Sequence, residues 1–276
     1  MCSTPDVQIW TESNVSDVDE ISKFLACSEI SSLNSGPSVD VLVLCGNAIL
    51  PIAEGVFSAI ESRPDIAKTL VICGGVGHST SFLYEAVRKS KYSAILPEIN
   101  GLPEARVLER IMVDFFPRLD ALVKSNAVKL IIEDKSTNCG ANAMETRRVL
   151  DGENISPRSL IVVQDPTMSL RTVAAFKHTY GDYSKPPVFF GCPIFVPMLS
   201  LEHSTKHAVL SVSGLSASDL WESSRFLDLL MGEIPRLRDD EFGYGPKGKN
   251  YISHVDVPDH VENAWARLKR VLQPSR

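Results

Sequence analysis

The sequence predicts an α/β protein with a parallel, Rossmann-like sheet covered by helices on both faces. Three observations carry this. Short, continuously apolar, β-branched-rich runs recur along the chain, as strands buried on both faces require. Each run alternates with a segment of helical spacing, which implies crossover connections and a parallel sheet. Each run also ends in glycine or in a cluster of polar residues, as strand ends do when they line a site.

In chain order, Val18, Ile21, Phe24 and Leu25 share a helical face, predicting an N-terminal helix over 16–28. SSLNSGPS (31–38) is a loop, and VDVLVLCGN (39–47) is a strand ending in glycine. Pro51 suits the first turn of a helix reaching Ser62. TLVICGGVGHST (69–80) gives a strand and a glycine-rich turn, with a helix over SFLYEAVRKS. A helix is expected from Pro103 to Phe116. KLIIEDKSTNCGAN (129–142) gives a strand, a polar turn and a helix to Leu150, and residues 159–180 repeat that plan. PVFFG (187–191) reads as a strand. Beyond residue 200 the pattern becomes one possible strand, a helix, the charged glycine loop RDDEFGYGPKGKN, and a helix over 258–272. The expected division is an α/β domain over 36–200, with 1–35 and 201–276 forming a helical cap.

The 276 residues carry a net charge of −6 and a pI near 5.6, which argues against a nucleic-acid groove binder. No apolar run approaches the ~20 residues of a membrane span. The opening MCSTPDVQIW lacks the charged and apolar regions of a secretory leader. Cys2, Cys27, Cys45, Cys73, Cys139 and Cys192 show no CxxC pair and no zinc spacing. The expectation is a cytoplasmic protein with reduced thiols, a small-molecule ligand and no bound metal.

Four strand ends fall on one sheet edge and define the candidate site. The first offers Gly46 and Asn47; the second offers Gly74, Gly75, Gly77, His78, Ser79 and Thr80. Glycines there let a ligand approach backbone N–H groups, with Ser79 or Thr80 as helix cap and His78 as a candidate base. GGVGHST is neither a Walker A loop, since no GK[ST] follows, nor a completed GxGxxG fingerprint. The third end offers Glu133, Asp134, Ser136, Thr137, Asn138 and Asn142. Asn138 suits a helix N-cap, and Asn142 lies four residues on, on the same helical face. Glu133 is the candidate for ligand contact or acid–base work, while Cys139 reads as a small first-turn residue rather than a nucleophile. The fourth end offers Gln164, Asp165, Thr167 and Arg171. Asp165–Pro166 reads as a helix start, and Arg171 is expected to pair with an acid such as Asp165 or with a bound anion. The loop at 236–250 reads as solvated surface or as a lid, with Gly243 and Gly245 allowing motion.

The blocks GNAILP, GGVGHSTSFLY, IEDKSTNCGANA, VVQDPTMSLRT, GEIPRLRDD, GYGPKGK and HVDVP closely resemble the YdcF-like family over nearly the whole chain. The likeness is to that branch rather than to the membrane-anchored SanA-like proteins. It implies a Rossmann-like domain with a smaller helical one, and S-adenosylmethionine as ligand, with no reaction assigned. The matching motifs carry over Gly46, Asn47, Gly74, Gly75, His78, Ser79, Glu133, Ser136, Asn138, Asn142, Asp165 and Arg171. Three functions are then open: an S-adenosylmethionine-binding protein, possibly a transferase; a hydrolase of phosphate esters or nucleotide-like substrates; and a non-catalytic small-molecule sensor.

Overall fold

Beyond their first three residues VDVLVLC and AKTLVIC hold no charged side chain, so each must be covered on both faces. They form neighbouring inner strands of a five-stranded sheet. In the computed structural model, which describes residues 10–201 and 208–272, the strands are β1 (Val39–Cys45), β2 (Ala67–Cys73), β3 (Lys129–Glu133), β4 (Ser159–Val163) and β5 (Val188–Gly191). Their order is β3-β2-β1-β4-β5, and every neighbouring pair is parallel. Val41 through Cys45 are completely buried, as is expected of the central strand. From β1 the chain moves outward through β2 to β3, then returns to β4 on the opposite side. The order therefore reverses between β1 and β4, where ligands bind in open α/β sheets.

The helices are α1 (Glu12–Leu25), α2 (Leu50–Ser62), α3 (Thr80–Lys89), the single turn α4 (Leu96–Ile99), α5 (Glu104–Phe115), α6 (Pro117–Lys124), α7 (Cys139–Gly152), α8 (Ser169–Thr179), α9 (Ser223–Leu237) and α10 (Asp259–Leu272). α1 starts earlier than its spacing suggests because Thr11 caps it, accepting from the Asn14 amide at 3.2 Å. It ends before Cys27, whose φ of +52° is not helical. α6 was not legible as a separate helix: Pro117 cannot continue α5, so the chain breaks at Phe116 and restarts. The expected start of α8 at Asp165 is corrected, since the helix begins at Ser169.

β6 (Met198–Leu201) and β7 (Ala208–Ser211) form a separate antiparallel pair, of which only the second was foreseen as a possible strand. α1, α9 and α10 pack on one another, and α1 also meets α8 and β6. Arg267 of α10 binds Asp17 of α1 at 2.7 Å. Cys2 and the first residues of the expected cap lie outside the described residues. No helix among those described is long and apolar enough to cross a membrane.

Candidate functional site

The β1–β2 and β2–β3 ladders each run one residue past the strand ends. The Gly46 N–H donates to the Cys73 carbonyl at 2.6 Å, and the Gly74 N–H donates to the Glu133 carbonyl at 2.9 Å. Over these two glycines lies a residue the sequence reading passed by, Glu104, the first of α5. A Cβ placed on Gly46 would stand 2.4 Å from Glu104 Oε2, and one on Gly74 would stand 3.2 Å from Glu104 Cβ. Gly74 has a φ of +150°, which also disfavours a side chain. The start of α5 is docked on this loop, with the Glu104 amide donating to Gly75 O at 3.1 Å and the Ala105 amide to Gly74 O at 2.8 Å. Glu104 is 7% exposed. Its side-chain partner is the Thr80 hydroxyl, which donates to Oε1 at 3.0 Å and itself accepts from the Gly77 amide at 2.8 Å. Burial pushes the Glu104 carboxyl above its ordinary range, with the Thr80 hydroxyl opposing. The signal for it in the sequence was an acid directly after Pro103, in the first turn of a helix following the glycine loop.

The glycine loop also rests on the loop after β3. The Gly75 amide donates to Ser136 O at 2.6 Å, and a Cβ on Gly75 would lie 2.5 Å from that oxygen. Glu133 shapes the opposing loop. Its Oε1 accepts from the Lys135 and Ser136 amides at 2.6 and 2.9 Å, and its Oε2 accepts from the Ser136 hydroxyl at 2.5 Å. These bonds hold Glu133, buried as it is, to a structural task. Asp134 turns the other way and binds Arg106 at 2.9 Å. Asn138 is the N-cap of α7, accepting from the Ala141 amide at 3.0 Å. Asn142 is buried and hydrogen-bonds the Cys45 thiol. That thiol lies 3.6 Å from Cys73 Sγ and near Cys139. Its bond to the Cys73 thiol and its burial push its pKa well up, so the cluster is apolar filling.

At the switch point Asn47 folds on itself, donating to Cys45 O and accepting from the Ile49 amide, both at 2.9 Å. Asp165 is likewise bound within its own turn: Oδ1 accepts from the Thr167 amide at 2.9 Å and from its hydroxyl at 2.7 Å. Its Oδ2 accepts from Trp221 Nε1 at 2.9 Å, which draws the C-terminal extension onto the strand ends. Burial holds the Asp165 carboxyl above its ordinary range. Arg171 does pair with an acid, but that acid is Glu233 of α9 rather than Asp165, in a bidentate contact at 2.5 and 3.0 Å. The glycines of the segment 236–250 are closely packed. A Cβ on Gly243 would lie 1.8 Å from Arg238 O, and one on Gly245 would lie 2.7 Å from Asp239 Oδ1, so both are there for close packing.

The groups left over are few. His78 is exposed at the tip of the glycine loop, and Ser79 takes the N-cap position of α3 without capping it. The amides of Val76, His78 and Ser79 meet no acceptor among the described residues. A cleft of about 780 Å³ opens between the start of α2, the outer face of α3 and residues 214–225. No group of three potential metal ligands occurs among the described residues. A comparison of the sequence with models of known protein families finds no match.

Proposed function

We propose that this protein binds S-adenosylmethionine at the C-terminal edge of its parallel sheet. The observation that carries the reading is the pairing of Glu104, a buried carboxylate with one side-chain partner, with a glycine loop whose amides at 76, 78 and 79 are unengaged. A zwitterionic amino-acid group needs both: an acid for its ammonium and N–H donors for its carboxylate. Glu133, Asp165, Asn47 and Asn138 are already bonded within their own turns, which leaves Glu104 as the acid for the amino group. Burial raises the Glu104 pKa, and an ammonium beside the carboxylate would oppose that shift by stabilising the charged form.

When bound, S-adenosylmethionine supplies a transferable methyl group. Within this chain the Glu104 carboxylate binds the amino group, while the loop amides orient the ligand's carboxylate. A cytosolic setting agrees with the five described cysteines, all free and buried. Titration calorimetry tests the reading. The wild type is expected to bind S-adenosylmethionine in the micromolar range and Glu104→Gln at least tenfold more weakly, with both variants giving the same far-ultraviolet circular dichroism. Absence of heat from the wild type at millimolar ligand would sink it.

A further inference from the structure

Thr80, the first residue of α3, is 4% exposed and stands between the acid and the glycine loop. A hydroxyl has one proton to give and lone pairs with which to receive. The Gly77 amide donates to Thr80 Oγ1 at 2.8 Å, and Oγ1 gives its one proton to Glu104 Oε1 at 3.0 Å. The direction of this chain is fixed, because a backbone N–H cannot accept. Oε1 is thereby engaged, and a donor brought by a ligand meets Oε2 instead. That oxygen lies against Gly46, where a Cβ would stand 2.4 Å from it, and it has no hydrogen-bond partner among the described residues.

The same residue closes the loop on itself. Its amide donates to Gly77 O at 3.3 Å while its hydroxyl receives the Gly77 N–H, so residues 77 and 80 are tied in both directions around the free amides of 78 and 79. Glu104 is held to this loop from the backbone side as well, by its own amide on Gly75 O and the Ala105 amide on Gly74 O. Branching at Cβ leaves the Thr80 side chain few rotamers, which keeps the hydroxyl in place. We propose that Thr80 is a positioning residue: its hydroxyl presents Oε2 of Glu104 to a cationic group and locks that acid and the loop amides, which meet an anionic group, into one preorganised unit. The zwitterion at this unit rests on the function proposed above, whereas the Thr80–Glu104 link belongs to the free protein.

The test is thermal unfolding and titration calorimetry of the full chain, with Thr80→Val, Thr80→Ser, Glu104→Gln and the Thr80→Val/Glu104→Gln double variant. Valine keeps the shape and loses the hydroxyl; serine keeps the hydroxyl. Burial raises the Glu104 carboxyl and the Thr80 hydroxyl opposes that, so without the hydroxyl the carboxyl rises further. Tyr84 of α3, which the Glu104 charge reaches, is itself held above its ordinary range, by burial first, and stays neutral across the acid range. The melting-temperature gap between glutamate and glutamine at 104 is therefore expected to be wider at neutral pH in the Thr80→Val background, to extend to higher pH, and to close below pH 4.5 in both. An equal gap in the two backgrounds overturns the positioning. S-adenosylmethionine is expected to bind Thr80→Val about tenfold more weakly than wild type and Thr80→Ser within about threefold of it, as loss of a bond to a charged group implies. Thr80→Ser as weak as Thr80→Val also overturns the positioning, because the hydroxyl is then not the cause. If Glu104→Gln weakens binding but Thr80→Val does not, the positioning fails while the proposed function stands. If the wild type gives no heat and the gap still widens in the Thr80→Val background, the function fails and the Thr80–Glu104 link stands.

Discussion

Arg171 and Glu233 give the sharpest energetic prediction, because their contact is the bidentate link between the helix after β4 and the C-terminal extension. The Glu233 side chain is 2% exposed and that of Arg171 13%, so both charges are largely out of water. Removing one partner of such a pair leaves an uncompensated buried charge and costs about 3–5 kcal/mol. The two single changes are not symmetric. After Arg171→Met, Glu233 still has Arg236 at 3.5 Å, a cation that is 42% exposed, so the loss belongs near ~3 kcal/mol in that range. After Glu233→Met, Arg171 keeps no carboxylate partner among the described residues, and the loss belongs nearer ~5 kcal/mol. With both replaced by methionine no charge is stranded, and stability should return to within about 1 kcal/mol of wild type or exceed it. Urea unfolding at neutral pH measures all four corners of the cycle. At a denaturant slope of ~3 kcal/mol per molar, the Arg171→Met midpoint falls by about 1 M. Single changes that shift the midpoint by less than ~0.3 M, or a double variant equal to the sum of the singles, would refute the claim that the pair is desolvated and coupled.

Other consequences follow from the same contacts. Gly46→Ala places a methyl 2.4 Å from Glu104 Oε2, 2.9 Å from its Cβ and 3.3 Å from Cys73 O; overpacking of this kind costs about 1–3 kcal/mol, read as a lower melting temperature. Glu104 is held with a raised pKa, so wild-type stability falls as pH rises from the ordinary 4.5 through the raised folded value. Glu104→Gln is therefore expected to melt above wild type at neutral pH, with the gap closing below pH 4.5 in calorimetric scans. His254 sits 2.8 Å from Asp239, whose hydrogen bond raises the imidazole above its ordinary 6.5. That contribution is complete below 6.5 and is lost as pH rises through the folded value, and His254→Asn should flatten this part of the profile. Trp221→Phe removes one bond to the buried Asp165 carboxylate, an expected loss of about 1.5–3 kcal/mol by urea unfolding.

The sheet was legible because burial on both faces leaves no choice of residue: β1, β2 and β4 are nearly free of polar side chains, and all five strands fall where apolar runs predict them. α6 and β6 were not. An eight-residue helix set off only by Pro117, and a four-residue strand whose partner lies across residues 202–207, have no period long enough to read. At the strand ends the sequence located the cluster but not the assignment of bonds within it. Nothing in EDKST distinguishes a glutamate that meets a ligand from one that folds back on the amides at 135 and 136. Glu104 was hidden because its partners, Gly46, Gly74 and Thr80, are remote in sequence and meet it only once β1 and β2 are paired.

The polar richness of these strand ends is thus mostly spent on construction. Four loops crowd one edge, each must turn sharply after a buried strand, and every N–H removed from water there needs an acceptor. Glu133, Asn47, Asp165 and Asn138 supply those acceptors at two to three residues' distance, which is why they had to be amides and carboxylates. Such bonds make a rigid rim, and a rigid rim is what allows groups to be left unbonded in fixed positions. A buried carboxylate kept on two glycines with one hydroxyl partner is costly to hold in an otherwise satisfied structure. The groups the turns do not consume are the second oxygen of Glu104 and the amides of 76, 78 and 79, which is where the proposed binding is to be tested first.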